Sequence, residues 1–158
     1  MCQTDLMSQP VSVVREIAAP VDRVWSLVTD LPRMGEWSPE NQGGEWLNGA
    51  AGPAAGVEFK GRNLNGKRSW STKVKVVEFD APRKFSFALM VGRSNWCDWV
   101  YEVEPTATGS RVTHSWVDHR SKFMSRLGKV VSGVADRAAH NRANMEVTLD
   151  NLAKAATA

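Results

Sequence analysis

The chain has 158 residues, a one-domain length with enough bulk to bury a real core. Its 42% apolar and 23% charged content argues against disorder, and a net charge of +3, from 20 basic and 17 acidic residues, is too small an excess to imply a nucleic-acid partner. No apolar run approaches the roughly 18 residues of a membrane span, so stable membrane insertion is not expected.

The opening residues carry neither the basic nor the apolar region of a secretory signal, and Cys2 and Cys97 make no disulfide framework. The expectation is a reduced, cytoplasmic protein. Tryptophan is the unusual component, with seven residues against one tyrosine. Its broad apolar ring and single N–H suit a ligand cavity as well as a core.

Residues 1–10 read as a flexible tail and residues 11–158 as a single domain. Val11 to Ile17 is β-branched enough for a strand, which Ala18-Ala19-Pro20 ends. Pro20 suits the first turn of a helix, and Val21, Val24, Trp25 and Val28 then fall on one helical face. Thr29-Asp30 ends that helix and caps a second, brief one that Ser38-Pro39 cannot continue.

Strand signals follow at close spacing. Glu45 to Leu47 precedes a Gly- and Ala-rich turn. Val57 to Leu64 and Lys67 to Phe79 flank Asn65-Gly66, which predicts a type I′ hairpin. Lys84 to Val91, Asn95 to Glu104 and Arg111 to Asp118 complete the set, and hairpin-linked short strands argue for an antiparallel sheet. Between His119 and Gly133 lies a short basic amphipathic piece, with Phe123, Met124, Leu127, Val130 and Val131 on one face and Lys122, Arg126 and Lys129 opposite.

The run from Ser132 to Ala158 reads as one long helix. Ala138, Arg142, Met145, Leu149, Leu152 and Ala156 recur at steps of three and four, forming one stripe. The stripe loses its apolar character toward its start, where Asn141, Arg142 and Asn144 gather. That is the pattern of a helix passing from core into a half-wet cavity.

Ile17-x-Ala19-Pro20-x-x-x-Val24-Trp25, followed by Asp30 and Trp37, resembles the opening of the START-like, Bet v 1-like superfamily (SRPBCC), particularly its polyketide cyclase/dehydrase and lipid-transport branch. Trp99-x-Tyr101-x-Val103-x-Pro105 and Gly109-Ser110-Arg111-Val112-Thr113 are similar to that branch's last paired strands. The resemblance covers roughly Val11 to Leu152. It implies an α+β helix-grip fold: a curved antiparallel sheet of six to seven strands wrapped around a long C-terminal helix, with two short helices after the first strand. It also implies a cavity between sheet and helix for an apolar or amphipathic molecule. Its members range from carriers to enzymes, so the fold leaves function open.

Within that frame, strand alternation places Trp99, Tyr101 and Val103 on the concave face, with Val112, His114 and Trp116 beside them. Trp70, Val74 and Val76, and Phe85, Phe87 and Leu89, form matching sets. A register slip of one residue would invert every assignment. The expected ligand-contacting residues are Trp37, Trp70, Phe87, Trp99, Tyr101, His114, Trp116, Asn141, Arg142 and Met145. His114 is either an acid/base group or a satisfied core histidine, and Arg142 either holds an anionic oxygen or snorkels out. Asp98 should point away from the cavity. Trp37 to Asn41 falls at the expected mouth as gate or plug, while Arg62 and Asn63 read as solvated hairpin residues.

His114, His119 and His140 lack metal-ligand spacing, and no nucleophile elbow, P-loop or dinucleotide fingerprint occurs, so neither metal nor cofactor is expected. The leading reading is a carrier for a hydrophobic small molecule such as a lipid, fatty acid or polyketide, as monomer or homodimer. The alternatives are a cyclase or dehydratase using His114 and Arg142, or a protein or membrane interaction module using residues 119–133.

Overall fold

The computed structural model describes residues 10–158, so the tail expected at the N-terminus, with Cys2, lies outside the described residues but for Pro10. Strand β1 spans Val11–Ile17 and helix α1 Val21–Val28, as the sequence predicts. A short 3₁₀ helix, Leu31–Glu36, follows with its proline at the start. The remaining strands are β2 (Asn41–Trp46), β3 (Glu58–Asn65), β4 (Arg68–Asp80), β5 (Lys84–Val91), β6 (Ser94–Thr106) and β7 (Gly109–Asp118). Helices α2 (Lys122–Ser132) and α3 (Arg137–Thr157) complete the chain.

The seven strands form one antiparallel sheet in the order β1-β7-β6-β5-β4-β3-β2. Its two edges, β1 and β2, are neighbours in sequence, so α1 and the 3₁₀ helix carry the chain from one edge to the other. The sheet curls into a half-barrel gripping α3, which packs against β1, β7 and α1. This is the helix-grip architecture.

Alternation has the expected register. Val103 and Val112 pair across β6 and β7, as do Tyr101 with His114 and Trp99 with Trp116. Phe85, Val103, Val112 and Leu149 are completely or almost completely buried, and Met145 and Leu152 join them from α3. Trp25, Phe79 and Phe85 meet edge-on or tilted at 5.5 to 6.4 Å, closing the core at the α1 end.

Three local features differ from the sequence reading. The β3–β4 turn takes positive φ at Gly66 and not at Asn65. Asn65 instead pairs with Arg68, leaving Gly66-Lys67 as the loop, which is the type II′ pattern rather than type I′. β2 begins at Asn41, through a Gly-rich stretch with no strand propensity, and is bulged between Asn41 and Gly44.

The third difference is a break in the C-terminal run. Gly133 (φ 73°) ends α2 in the left-handed conformation, and the Asp136 side chain caps α3 by accepting from Ala139 N at 3.1 Å. The long helix therefore starts at Arg137. Its buried stripe is Asn141, Met145, Thr148, Leu149, Leu152 and Ala156. Ala138 and Arg142, expected in that stripe, are exposed.

Candidate functional site

Where the curled sheet and the first turns of α3 diverge, side chains no longer reach across, and a cavity of about 610 Å³ opens. That volume lies within the roughly 300–1,000 Å³ of sites that bury small organic ligands. Trp70, Phe87, Trp99, Tyr101, His114, Trp116, Asn141 and Met145, eight of the ten residues expected to contact a ligand, line it.

Two predicted residues do not. Trp37 is 2% exposed and belongs to the core, its ring covered by the Arg33 guanidinium at 5.5 Å and its carbonyl accepting from Asn151. It is the plug of the two readings, and Ser38, Glu40 and Asn41 just beyond it reach the cavity instead. Arg142 points outward and donates to the Ser12 carbonyl of β1 at 3.3 Å. One residue is about 100° of helix rotation, so a stripe that begins at Arg137 and Asn141 turns Arg142 away. The pairing of His114 with Arg142 as acid/base and oxyanion holder is thereby overturned.

The aromatic wall is larger than alternation alone suggests. In an uninterrupted β6, Trp96 would share the outward face of Asp98. The β5–β6 register shifts so that Leu89 pairs with Cys97 and Met90 with Asn95, leaving Trp96 unpaired in a bulge. A bulge re-aims its extra side chain, and Trp96 turns into the cavity. Asp98 remains outside, bonded to Asn95 and His119. Asn63, read as a solvated hairpin residue, also lines the cavity and donates to Thr72 Oγ1 at 3.1 Å.

The floor is neutral. His114 stacks on Tyr101 with ring centroids 3.9 Å apart and 13° between planes, and Trp99 lies 5.5 Å from the same imidazole. Both ring nitrogens of His114 are buried without a hydrogen-bond partner. Burial lowers its pKa to about 3, so the ring is uncharged at neutral pH. Burial likewise raises the Cys97 thiol to about 12 and pushes the Tyr101 phenol upward, leaving both protonated. This floor offers aromatic surface and neutral dipoles; it holds neither a charged base nor a thiolate.

Of the four charged side chains on the lining, Lys73 is paired with Glu58 and Arg120 with Asp118, while the other two meet at one pole. Glu40 meets both Arg137, with its two oxygens each 3.1 Å from Nη1, and His140, whose Nε2–H donates at 2.7 Å. Arg137 Nη1 also lies 3.4 Å from Asn141 Oδ1, and Asn144 Nδ2 lies 3.1 Å from His140 Nε2. Glu40, Arg137, Asn141 and Asn144 all line the cavity. The cluster joins residues almost one hundred positions apart, so no local pattern announces it. Its sequence trace is limited to the asparagines at the start of α3. Among the described residues no group of His, Cys, Asp and Glu is placed to hold a metal ion.

A half-barrel gripping a long helix, with an aromatic cavity and one polar pole, defines an α+β small-molecule-cavity architecture. Residues 8–157 match the family model described as polyketide cyclase / dehydrase and lipid transport, and the chain belongs to that family. Among solved structures, a Polyketide_cyc-like protein of Corynebacterium glutamicum is 28% identical, with 95% of this chain and 91% of that one covered and a TM-score of 0.59. A Chromobacterium violaceum protein (13% identity, 93% and 96% covered, TM-score 0.69) and an AHSA1-like protein of Aeromonas hydrophila (15%, 93% and 91%, TM-score 0.63) share the fold. A comparison with curated proteins gives no match.

Proposed function

We propose that the protein binds and carries an amphipathic hydrophobic small molecule, such as a lipid, fatty acid or polyketide, in the cavity between sheet and α3. The observation that carries this reading is the division of the cavity wall. Trp70, Trp96, Trp99 and Trp116 supply a broad apolar surface, while Glu40, Arg137, Asn141 and Asn144 form a compact polar pole. An apolar body laid on the rings gains roughly 0.8 kcal/mol per buried CH₂. A single polar end directed at the pole fixes its orientation. The family's description, which joins cyclases and dehydrases to lipid transport, supports the same ligand class.

Carriage is favoured over cyclisation or dehydration by His114 and Arg142 because Arg142, the oxyanion holder that reading needs, lies outside the cavity. Titration of the tryptophan fluorescence with fatty acids, lysolipids and aromatic polyketides tests the proposal. A saturable change with at least one class, weakened by Trp99→Ala, is the expected result. A flat response to the whole panel, with no small molecule released on denaturation of the purified protein, counts against it.

A further inference from the structure

The end of the molecule at which the cavity opens differs from the rest of its surface. Val91, Leu127 and Val131 line the cavity and are also exposed, so they mark its mouth. Farther out on α2, Phe123 and Val130 stand 75% and 67% exposed, seven residues apart and hence on one stripe. Lys122, Arg126 and Lys129 are exposed around them.

α2 is held in this position. The Ser121 hydroxyl caps its start by accepting from Met124 N, and at its other end Asn65 and Arg68 of the β3–β4 hairpin donate to the carbonyls of Ser132 and Val130. The apolar stripe is thus presented to solvent by contacts at both ends of the helix. Charge is segregated in the same region. The stretches 59–77, 81–97 and 119–135, which contain the β3–β4 and β5–β6 turns and α2, hold no Asp or Glu. Lys67 and Arg93 on those two turns add to the cations of α2.

We propose that this end docks on an anionic lipid surface, and that the cavity is loaded and emptied there; the loading step rests on the cavity-binding reading above. Phe123 and Val130 would enter the headgroup boundary while the surrounding cations meet lipid phosphates, the division of labour of an interfacial amphipathic helix. A second copy fits worse, because a two-fold contact through this face sets its cations against themselves. A protein partner fits worse as well, since the cores of such interfaces are depleted in lysine.

The test is co-sedimentation of the full chain with vesicles of phosphatidylcholine alone or mixed with phosphatidylglycerol, at low and high salt. The protein should pellet only with the anionic vesicles and only at low salt. Lys122→Gln, Arg126→Gln and Lys129→Gln together should weaken association by roughly a hundredfold, about fivefold for each cation. Phe123→Ser should weaken it further with helix content unchanged by circular dichroism. Equal pelleting with neutral vesicles, none with either, or a triple variant that binds like the wild type overturns the proposal. So does a dimer in light scattering that the Phe123→Ser change abolishes.

Ligand titration in vesicle-free buffer separates the two readings. A normal fluorescence response without vesicle binding overturns docking alone. Vesicle binding without any ligand response upholds docking and removes the cargo.

Discussion

Replacing His114 with phenylalanine should stabilise the protein, and increasingly so as the pH falls. The imidazole is 4% exposed, stacked on Tyr101, and has no partner for either ring nitrogen. An orphaned buried polar group costs about 1–3 kcal/mol, whereas an apolar ring of similar shape avoids that cost. Some of the gain is lost to the slightly larger ring, leaving about 1 kcal/mol of stabilisation at pH 7. The pH dependence follows from the depressed pKa of about 3, against an ordinary value of 6.5. Unfolded chains take up a proton as pH falls through 6.5, while the native ring stays neutral until about pH 3. The histidine's contribution to stability is therefore complete above 6.5 and is progressively lost below it. Between pH 7 and 5 the loss comes to about 2 kcal/mol, so the advantage of His114→Phe should widen by that amount. Urea unfolding of both proteins at several pH values measures the difference directly, with the shared carboxylates cancelling. A difference that stays flat with pH, or an NMR titration placing the His114 ring near its ordinary value, would refute the reasoning.

Three further substitutions probe the pole, the outward face of α3 and the core. Arg137→Ala should cost about 2 kcal/mol of stability by leaving Glu40 half-buried beside the cavity without its cation, and should weaken ligand binding severalfold. Arg142→Ala, on the outward face, should change stability by no more than about 0.5 kcal/mol and leave ligand affinity unaltered. Denaturant melts and the same fluorescence titration read both. Leu149→Ala, at a fully buried position of α3, should lose about 3 kcal/mol in urea unfolding, and a loss below about 1 would contradict its place at the centre of the core.

The fold was legible because its signals are local. β1, α1 and β5 begin and end where β-branched runs, Pro20 and alternation place them. Period two puts Trp99, Tyr101 and Val103 on one face of β6, the resemblance makes that face the concave one, and the β6–β7 pairing contains no bulge to upset it. What escaped the sequence depends on three-dimensional events. Trp96 enters the cavity only because a bulge reverses its parity, and alternation cannot foresee a bulge. Arg142 and Asn141 differ by one residue on a helix whose start was set too early. Gly133 and Asp136 carry the boundary signal, but a shared apolar period runs across them. The ion pair of Glu40 with Arg137 forms only once the sheet has curled back on α3, and neither residue has a neighbour in sequence that hints at the other.

The central claim is that a small molecule occupies this particular cavity, and the indole N–H resonances of the seven tryptophans test it most directly. Titration with a bound ligand, followed by two-dimensional NMR, should shift Trp70, Trp96, Trp99 and Trp116, which line the cavity. Trp25, Trp37 and Trp46, which belong to the core and its margin, should stay nearly still. Shifts confined to the second set, or spread evenly over all seven, would contradict the account.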